Sequence, residues 1–368
     1  MFCGQVIELV PSLHILGSRQ FGGADQFYVR LLRALSGAGH RVVAVNRRGS
    51  PVVKALEAEG IEQVHLPLAN QWDAGSALRI RRLVAQHQPC IVQTYMGRAT
   101  RLTRLPTTMR AVHIARLGGF YKIDGYYRHA HAWIGNTRGI CDYLVQSGLP
   151  AERVFQIGNF VPEPSPLSAE RLPMLRTTYQ IPSDAFVLFA LGRLIEKKGF
   201  DDLLNALAKL PTDHDGRPLI LLIAGDGPLA DPLRKLSCAL GLEGRVRWVG
   251  WQQPDAFYAL ADLFVCPSRH EPLGNVILEA WSYRLPVVST ATHGALELIE
   301  DERTDLLAPC GDAIALADRI RDALAIPSND RRALGESGHE LLLRQFSREA
   351  VVKAYVESYN RLVAERGF

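Results

Sequence analysis

The chain has 368 residues, of which 47% are hydrophobic and 22% are charged, a composition typical of globular proteins and a length sufficient for two domains. Its net charge of +4 combines +9 over residues 1–165 (19 Lys and Arg against 10 Asp and Glu) with −5 over the remainder (23 against 28). No uninterrupted apolar run of about eighteen residues predicts a membrane span, and the six scattered cysteines lack the spacing of a zinc site or a disulfide framework. The start of the sequence lacks the pattern of a secretory signal, so we expect a cytosolic protein.

Short runs rich in β-branched residues recur in the first half of the sequence and predict strands. These runs are residues 5–10, 41–46, 63–68 and 90–95. Stretches of helical length with one apolar face lie between them, at residues 24–39 and 74–88. Alternating strands and helices predict a parallel sheet that is covered by helices on both faces.

Arginines are concentrated after the fourth predicted strand. Arg98, Arg101 and Arg104 recur every three residues, so on a helix they would lie along one face. This stripe has two interpretations: a solvated helix face, or a surface that meets an anionic membrane or a phosphorylated, lipid-linked acceptor. The charge is also compatible with DNA, but no recognition helix or zinc pattern accompanies it, so we expect no nucleic-acid partner.

The same alternation restarts after residue 165. The predicted strands of this half are residues 185–192, 219–225, 245–250, 263–268 and 285–290. A segment without apolar periodicity separates the halves, and its prolines stand at positions 162, 164, 166 and 173. We therefore predict an α/β protein with one parallel-sheet domain in residues 1–165 and a second in residues 166–345.

Ligands of parallel sheets bind beyond the carboxyl ends of the strands, so the loops there are candidate sites. Gly22 and Gly23, after the first strand, permit close approach to the backbone before a helix start, which suits an anion but is also common in turns. Arg193 and Lys198 place two cations in the loop after strand 185–192, as a diphosphate requires. Ordinary surface cations are the alternative.

Two further patterns are interpreted as structural. The loop with Gly225 and Gly227 lacks the third glycine of a dinucleotide-binding fingerprint, so it is interpreted as a strand-to-helix turn that borders a nucleotide site. Asp213 and Asp215 form a D-x-D in a polar turn that enters a strand, at the edge opposite the carboxyl ends. We interpret this turn as a solvated loop.

Glu271 and Glu279 flank a predicted helix start near Gly274. The first turn of this helix leaves the N–H groups of Gly274, Asn275 and Val276 without helical partners, and the helix dipole favours negative charge there. Glu279 lies one turn into the helix, where it can accept two neighbouring ribose hydroxyls, and Glu271 can reach a second sugar. This layout fits a nucleotide sugar, whereas stabilisation of the helix N-terminus would explain only one of the two acids.

These features resemble glycosyltransferase family 4, the retaining enzymes of the GT-B fold. Glu271 and Glu279 match the E-x7-E motif of that family, and the sequence GRLIEKKGFDDLLNAL at 192–207 matches its Arg and Lys loop. The similarity runs from about residue 20 to the C-terminus. It implies two Rossmann-like domains facing a cleft, with residues 346–368 forming a helix that crosses back to the first domain.

The resemblance also implies roles for individual residues. Arg193 and Lys198 would hold the donor diphosphate, Glu279 the ribose and Glu271 the donor sugar, and Arg193, Lys198 and Glu271 would be catalytic. Trp251 and Gln252 fall where the family contacts the base. The complete set expected at the donor is Gly22, Gly23, Arg193, Lys198, Trp251, Gln252, Glu271, Gly274, Asn275, Val276 and Glu279.

The chain departs from the family pattern at two places. Pro272 stands where relatives usually have the glycine of EGFG, which removes one backbone N–H. The usual histidine of a first-domain loop is missing near Leu117, and His113 lies within a predicted strand, where we interpret it as a core residue. The residues expected to bind the acceptor instead are Arg98, Arg116, Tyr121 and Lys122.

The implied reaction moves a sugar from a nucleotide sugar, with a UDP-sugar favoured, to an acceptor hydroxyl with retention. We expect no metal and no other cofactor, because Arg193, Lys198 and helix N–H groups would offset the charge on the leaving diphosphate. The expected acceptor is a glycan or glycolipid of the bacterial envelope, and the basic first domain would bring the protein to the inner face of the plasma membrane. A non-catalytic binder of nucleotides or anionic glycolipids stays open as the alternative, whereas a nicotinamide-dependent oxidoreductase would require the missing G-x-G-x-x-G.

Overall fold

The structure is a computed structural model that describes residues 10–19, 21–299 and 306–366. The described chain divides into two compact units. The first unit runs to Phe160 and takes up the chain again at Ser347, and the second unit is Val161–Phe346. The predicted boundaries at residues 165 and 345 fall within a few residues of these, and the segment from Ser347 belongs to the first unit.

The described residues form one extended sheet in each unit, from the short apolar runs of the sequence. The strands of the first unit are Ser12–Leu16 (β1), Val42–Asn46 (β2), Glu62–His65 (β3), Ile91–Tyr95 (β4), Val112–Leu117 (β5), Ala132–Gly135 (β6) and Val154–Gln156 (β7). Those of the second are Phe186–Leu191 (β8), Asp213–His214 (β9), Arg217–Ala224 (β10), Val246–Gly250 (β11), Leu263–Cys266 (β12), Val287–Thr290 (β13) and Leu307–Ala308 (β14).

Helices connect the strands and cover the sheets. Their bounds are Gly23–Gly37 (α1), Pro51–Glu57 (α2), Ala74–His87 (α3), Met96–Leu102 (α4), Arg138–Gln146 (α5), Arg171–Thr178 (α6), Phe200–Leu207 (α7), Ala230–Ala239 (α8), Asp255–Leu260 (α9), Asn275–Ser282 (α10), His293–Leu298 (α11), Ala313–Ala325 (α12), Ser328–Gln345 (α13) and Arg348–Glu365 (α14). Within the described ranges, none of these helices combines the length and the apolar character that a membrane crossing needs.

The first sheet has the strand order β3-β2-β1-β4-β5-β6-β7, and all neighbouring strands are parallel. Leu13 and Ile15 of β1 pack into one apolar cluster and Leu16 into another, so this strand is buried on both faces. The predicted first strand at residues 5–10 lies outside the described residues except for Val10. The strand that the structure describes begins later, at Ser12.

The second sheet has the order β11-β10-β8-β12-β13-β14, again with parallel neighbours. The prediction of two successive parallel sheets is therefore confirmed. The short β9 is antiparallel to the beginning of β10 and pairs His214 with Arg217. Asp213 and Asp215 accordingly lie in or beside this hairpin, at the end of β10 opposite the carboxyl-end loops.

The predicted arginine-bearing helix is shorter than its three-residue periodicity indicates. Helix α4 ends at Leu102, and Pro106 disfavours helical backbone at the residue before it. Arg104 therefore lies beyond the helix. The prediction that Arg98, Arg101 and Arg104 share one helical face is wrong.

Candidate active site

The loops after β8 and β10 approach each other so closely that two positions require glycine. Gly225 has a φ of 138°, and a methyl group there would lie 1.8 Å from the carbonyl oxygen of Gly192. A methyl group at Gly227 would lie 2.5 Å from the carbonyl oxygen of Leu194. The backbone N–H of Leu194 also donates to the loop after β10 over 2.9 Å. The two glycines thus support the loop that carries Arg193.

Lys198 ends the 3₁₀ turn Glu196–Lys198 and forms an ion pair with Glu271, whose loop follows β12. The two side chains are only 18% and 17% exposed. They meet because β8 and β12 are neighbouring parallel strands, so the loops after them share one edge of the sheet. Burial opposes the charge on Lys198, but the nearby Glu271, Cys266 and Glu279 outweigh this effect and raise the pKa of Lys198 above its ordinary value. Lys198 is therefore a fixed cation at this edge.

Helix α10 begins one residue after Gly274, as the sequence predicts. Gly274 adopts the left-handed conformation, with φ 86° and ψ 52°. A methyl group at this glycine would lie 3.7 Å from Cγ of Glu271, so the helix start lies against the Lys198–Glu271 pair. The backbone N–H groups of Gly274 and Val276 donate to no group in the described part of the chain. The positive end of the helix dipole and these donors together favour an anion here.

Glu279 lies half-buried on α10, and its Oε2 accepts a hydrogen bond of 3.1 Å from the hydroxyl of Tyr258. Tyr258 is 1% exposed, and burial together with the charge of Glu279 raises its pKa well above the ordinary value. The phenol therefore stays protonated and orients the carboxylate. Nothing in the sequence around Tyr258 distinguishes it from the other aromatic residues of the second unit, so its contact with Glu279 was not predictable.

Arg269 braces the loop that carries Glu271. Its guanidinium group donates to Asp201 over 2.6 Å and forms an ion pair with Asp202 over 2.8 Å. It also donates to the backbone carbonyl of Glu196 over 3.0 Å, which ties the loop to the 3₁₀ turn of Lys198. The hydrogen bonds that Arg269 donates to Asp202 and Asp201 raise its pKa above the ordinary value. Arg269 carries no recognisable signal in the sequence, because its acidic partners are far away in the chain and are typical of any helix start.

The remaining predicted donor residues of the second unit also lie beyond carboxyl ends of strands. Arg193 follows β8, is exposed, and makes no side-chain hydrogen bond or ion pair with any described residue. Trp251 and Gln252 follow β11; the indole is 65% exposed, and the amide of Gln252 donates to the hydroxyl of Tyr179 over 2.5 Å. The structure therefore brings Lys198, Glu271, the α10 start and Glu279 together, with the other three residues at the same sheet edge.

Gly22 and Gly23 lie in the first unit, where Gly22 precedes the start of α1. The N–H of Gly22 donates to the carboxylate of Asp25 over 3.0 Å. This donor is therefore already used inside the helix cap.

The surroundings of Arg116 differ most from those expected of an acceptor-binding residue. It is 3% exposed, and its Nε donates to the hydroxyl of Tyr355 over 3.1 Å. A second hydrogen bond joins it to Asn159, and its guanidinium carbon lies 4.2 Å from the ring centre of Phe27. Arg116 therefore links elements inside the first unit rather than presenting its charge on the surface, and the prediction is corrected.

The other predicted acceptor residues have different surroundings. Tyr121 and Lys122 are exposed in the loop after β5, as acceptor contacts require. Arg98 is half-buried and donates to the carbonyl oxygens of Gly17 and Leu68, each over 3.2 Å. Its charge therefore lies beyond the carboxyl end of β1.

His113 lies in β5 and is 1% exposed, in agreement with its interpretation as a core residue. Its Nε2 is hydrogen-bonded to Thr94 over 3.0 Å. Burial, together with the neighbouring His129 and His131, lowers its pKa well below the ordinary value. Among the described residues, no group of three or more His, Cys, Asp or Glu side chains is arranged to hold a metal ion.

Comparison with known proteins gives consistent results. Residues 174–341 match the family described as glycosyl transferases group 1. The chain is 35% identical over 338 residues to the lipopolysaccharide core biosynthesis glycosyltransferase LpsE of Rhizobium meliloti, covering 91% of this chain and 95% of LpsE. It is 32% identical over 355 residues to LpsD of the same organism, another lipopolysaccharide core biosynthesis glycosyltransferase, covering 94% and 97%.

Among solved structures, the chain is similar to Alr3699/HepE of Anabaena, crystallised in complex with UDP and glucose. The TM-score is 0.81 at 20% sequence identity, and the alignment covers 96% of this chain and 100% of that chain. This likeness confirms the predicted GT-B fold with its two Rossmann-like units. The matches to LpsE and LpsD extend over nearly the whole chain, well beyond residues 174–341. They establish that the chain belongs to the glycosyl transferases group 1 family.

Proposed function

We propose that this glycosyltransferase moves a sugar from a UDP-sugar to a hydroxyl of a lipopolysaccharide core acceptor, with retention at the anomeric carbon. Two observations on relatives support the substrates. LpsE and LpsD, which match over nearly the whole chain, are lipopolysaccharide core biosynthesis enzymes. HepE, which shares the fold, binds UDP and glucose.

The observation that carries the proposal is the half-buried pair of Lys198 and Glu271 at the start of α10. The ammonium group of Lys198 and the α10 dipole suit the donor diphosphate. The carboxylate of Glu271 suits hydroxyls of the donor sugar on one side of that diphosphate. Glu279, oriented by Tyr258, suits the ribose hydroxyls on the other side.

The chemistry that this site has to provide is stabilisation of a leaving group. As the bond between the anomeric carbon and the diphosphate oxygen breaks, negative charge accumulates on the diphosphate. Lys198 and the N–H groups of the α10 start are held in place before the reaction, so they stabilise this charge without reorganisation, and the exposed Arg193 supplies a second cation beside them. As its oxygen bonds to the anomeric carbon, the acceptor hydroxyl passes its proton to an oxygen of the departing diphosphate. We propose that the reaction needs no metal ion, because these groups supply the positive charge.

Release of UDP tests this proposal. The protein is incubated with a panel of UDP-sugars and with core oligosaccharide from a truncated lipopolysaccharide, and free UDP and the product are measured. Lys198→Ala and Glu271→Gln should lower the rate about a hundredfold or more, the loss typical for removal of a preorganised charge. Lys197→Ala, which removes an exposed lysine from the same turn, is the matched control and should retain activity.

The results separate the proposal from its alternatives. Activity that survives in Lys198→Ala and Glu271→Gln would reject this site. UDP binding without transfer to any acceptor would favour the non-catalytic nucleotide-binding protein. Activity that is lost with EDTA and restored by a divalent cation would reject metal independence. NMR of the new linkage, compared with the donor, decides whether the anomeric configuration is retained.

We further propose that the protein works in the cytoplasm, at the inner face of the plasma membrane. Residues 1–165 carry the excess positive charge of the chain. Large apolar side chains are exposed in carboxyl-end loops of the first sheet, and Trp72, which is 71% exposed, is the most prominent of them. Exposed aromatic rings beside basic residues are typical of proteins that bind anionic membranes.

Binding to vesicles of phosphatidylglycerol and phosphatidylcholine tests this location. Arg98 and Arg101 donate to backbone carbonyls, so charge reversal there would disturb the fold. The variants are therefore Trp72→Ser with Lys122→Glu and Arg104→Glu, all at exposed positions. We expect weaker sedimentation with anionic vesicles; equal sedimentation of variant and wild type would reject the proposal.

A further inference from the structure

Three arginines follow neighbouring strands of the first sheet. Arg19 lies after β1, Arg47 directly follows β2, and Arg98 lies on α4, which directly follows β4. Because β1 lies between β2 and β4 in the sheet, the three positions share one stretch of its carboxyl edge.

Arg47 and Arg98 converge on a single atom. Nη1 of Arg47 donates to the carbonyl oxygen of Leu68 over 3.0 Å, and Nη1 of Arg98 donates to the same oxygen over 3.2 Å. Arg47 is 6% exposed. A guanidinium group has five N–H donors. Within the described part of the chain, the hydrogen bond to Leu68 uses one of the five donors of Arg47. Most of the residue is thus buried, while the other N–H donors of its guanidinium group have no hydrogen-bond partner in the described part of the chain.

No carboxylate in the described residues forms an ion pair with Arg19, Arg47 or Arg98. The negative charge of Asp73 favours the protonated form of Arg47. The Asp73 carboxylate, however, already accepts hydrogen bonds from Ser76 and from the backbone N–H of Ala69 as the cap of α3. Burial, then the charges of Arg19 and Arg98, lower the pKa of Arg47 below its ordinary value. Three positive charges therefore act on one another without a paired carboxylate among the described residues, an arrangement that favours a bound anion.

The backbone at the same edge is strained. Leu68, whose carbonyl receives both arginines, has a φ of 42°, and Met96, directly after β4, has a φ of 67°. Neither residue is a glycine, and such conformations are costly for other residues. They are concentrated at sites of function, where the surrounding structure holds them in place.

We infer that Arg47, Arg98 and Arg19 form an oxyanion site for a phosphate or carboxylate group carried by the acceptor. The inference rests on the proposed function, since it names a chemical feature of the acceptor. Guanidinium groups bind such oxyanions through paired N–H donors, which the unused donors of Arg47 supply. The donor diphosphate is assigned to a different place, the Lys198 loop and α10 of the second unit. The simpler explanation is that both arginines only tether Leu68, and the experiment has to distinguish the two.

Calorimetric titration at constant ionic strength tests the inference. The probes are glucose 6-phosphate, glucuronate and glucose, each added to protein saturated with UDP so that the donor site is filled. We expect binding of at least one anionic probe and none of glucose. Arg19→Gln should weaken that binding several-fold, and Arg98→Gln about tenfold, the loss that corresponds to one charge-assisted hydrogen bond. Arg98→Lys should lie between Arg98→Gln and wild type.

Arg19→Gln keeps the test valid if Arg98 variants do not fold, because Arg19 is exposed and has no described hydrogen-bond or ion-pair partner. Arg79→Gln, an exposed arginine on α3, is the control for general charge effects and should bind as wild type. Unchanged anion binding in folded Arg19→Gln and Arg98→Gln, or no binding of either anion by wild type, would overturn the inference and leave a structural tether. Loss of anion binding in Arg193→Gln alone would also overturn it.

The outcome for UDP is separate. If wild-type protein fails to bind UDP, the proposed donor is wrong, but the dependence of probe binding on Arg19 and Arg98 can still be measured. If UDP binds equally to wild type and Arg98→Gln while the anionic probe is lost, the two sites are independent. Preference for glucose 6-phosphate over glucuronate, or the reverse, identifies the group that the acceptor carries.

Discussion

Arg116 on β5 and Tyr355 on α14 are joined by a hydrogen bond of 3.1 Å, although 239 positions separate them in the sequence. Both side chains are buried, at 3% and 0% exposure. The last helix therefore belongs to the core of the first unit, and Tyr355 gives the buried charge of Arg116 one of its partners. This contact explains why an arginine can be buried there without a carboxylate.

Tyr355→Phe should destabilise the first unit. The substitution keeps the ring but removes the oxygen that accepts from Arg116, so a buried charged donor loses its partner. We expect the free energy of unfolding to fall by about 1.5–3 kcal/mol, as for hydrogen bonds to charged groups. Urea unfolding measures the change. Lys353→Gln, at an exposed position of the same helix, should change stability by less than about 0.5 kcal/mol, and an equal loss in both variants would contradict the explanation.

Gly225→Ala should disturb the loop that carries Arg193. Its added methyl group would lie 1.8 Å from the Gly192 carbonyl oxygen, and its φ of 138° disfavours any side chain. We expect a loss of more than about 2 kcal/mol in unfolding free energy, together with weaker UDP binding. Gly244→Ala is the control, because a methyl group there meets nothing within 4 Å. Normal stability and UDP binding in Gly225→Ala would show that the two loops can separate without cost.

Arg269→Lys should impair donor use without unfolding the protein. A lysine keeps the charge but loses the paired contacts with Asp201 and Asp202 and the bond to Glu196, so the Glu271 loop is less well positioned. We expect kcat/KM for the donor to fall about tenfold, mainly through KM, because a loosely held site costs binding.

The control for that variant is Arg321→Lys, which alters a surface ion pair with Asp318 on α12. Its activity should match wild type, since exposed pairs contribute little. Equal activity of Arg269→Lys and wild type would show that the Glu271 loop keeps its position without this brace.

Stability should fall in mild acid because several histidines are buried in the uncharged form. Burial lowers the pKa of His14 to about 3, and burial together with Arg366, His129 and Arg153 lowers that of His131 to about 4. In the unfolded chain both titrate near pH 6.5, so below that value the unfolded state binds more protons. The free energy of unfolding is then fully maintained above pH 6.5 and decreases towards pH 4, by up to about 1.4 kcal/mol per histidine per pH unit.

Urea unfolding at a series of pH values measures this dependence. His131→Asn removes one titrating group and keeps an acceptor for the backbone N–H of His113, so its stability should depend less steeply on pH. Identical slopes for wild type and His131→Asn between pH 6.5 and 4 would contradict the assignment.

The secondary structure and the second-unit site were largely predictable because their signals are local. Apolar runs of strand length define β8, β10 and β12, and the glycine before Asn275 marks the start of α10. Parallel strands place their carboxyl-end loops at one edge, so Lys198 and Glu271 could be expected near each other without knowledge of their contact. The prediction that Arg98, Arg101 and Arg104 share one helical face was wrong, because a three-residue spacing does not show where a helix ends.

The sequence by itself determined the alternation of strands and helices, the family resemblance and the loops in which chemistry is expected, since these depend on residues close together in the chain. Tertiary structure alone decided which side chains are buried and which partners they have. Arg116 and Arg98 look alike in the sequence, yet one is enclosed by Tyr355, Asn159 and Phe27, and the other lies beside Arg47 without a carboxylate. The reason is physical: burial and electrostatic pairing depend on distances between residues that are remote in sequence, and no local pattern specifies those distances.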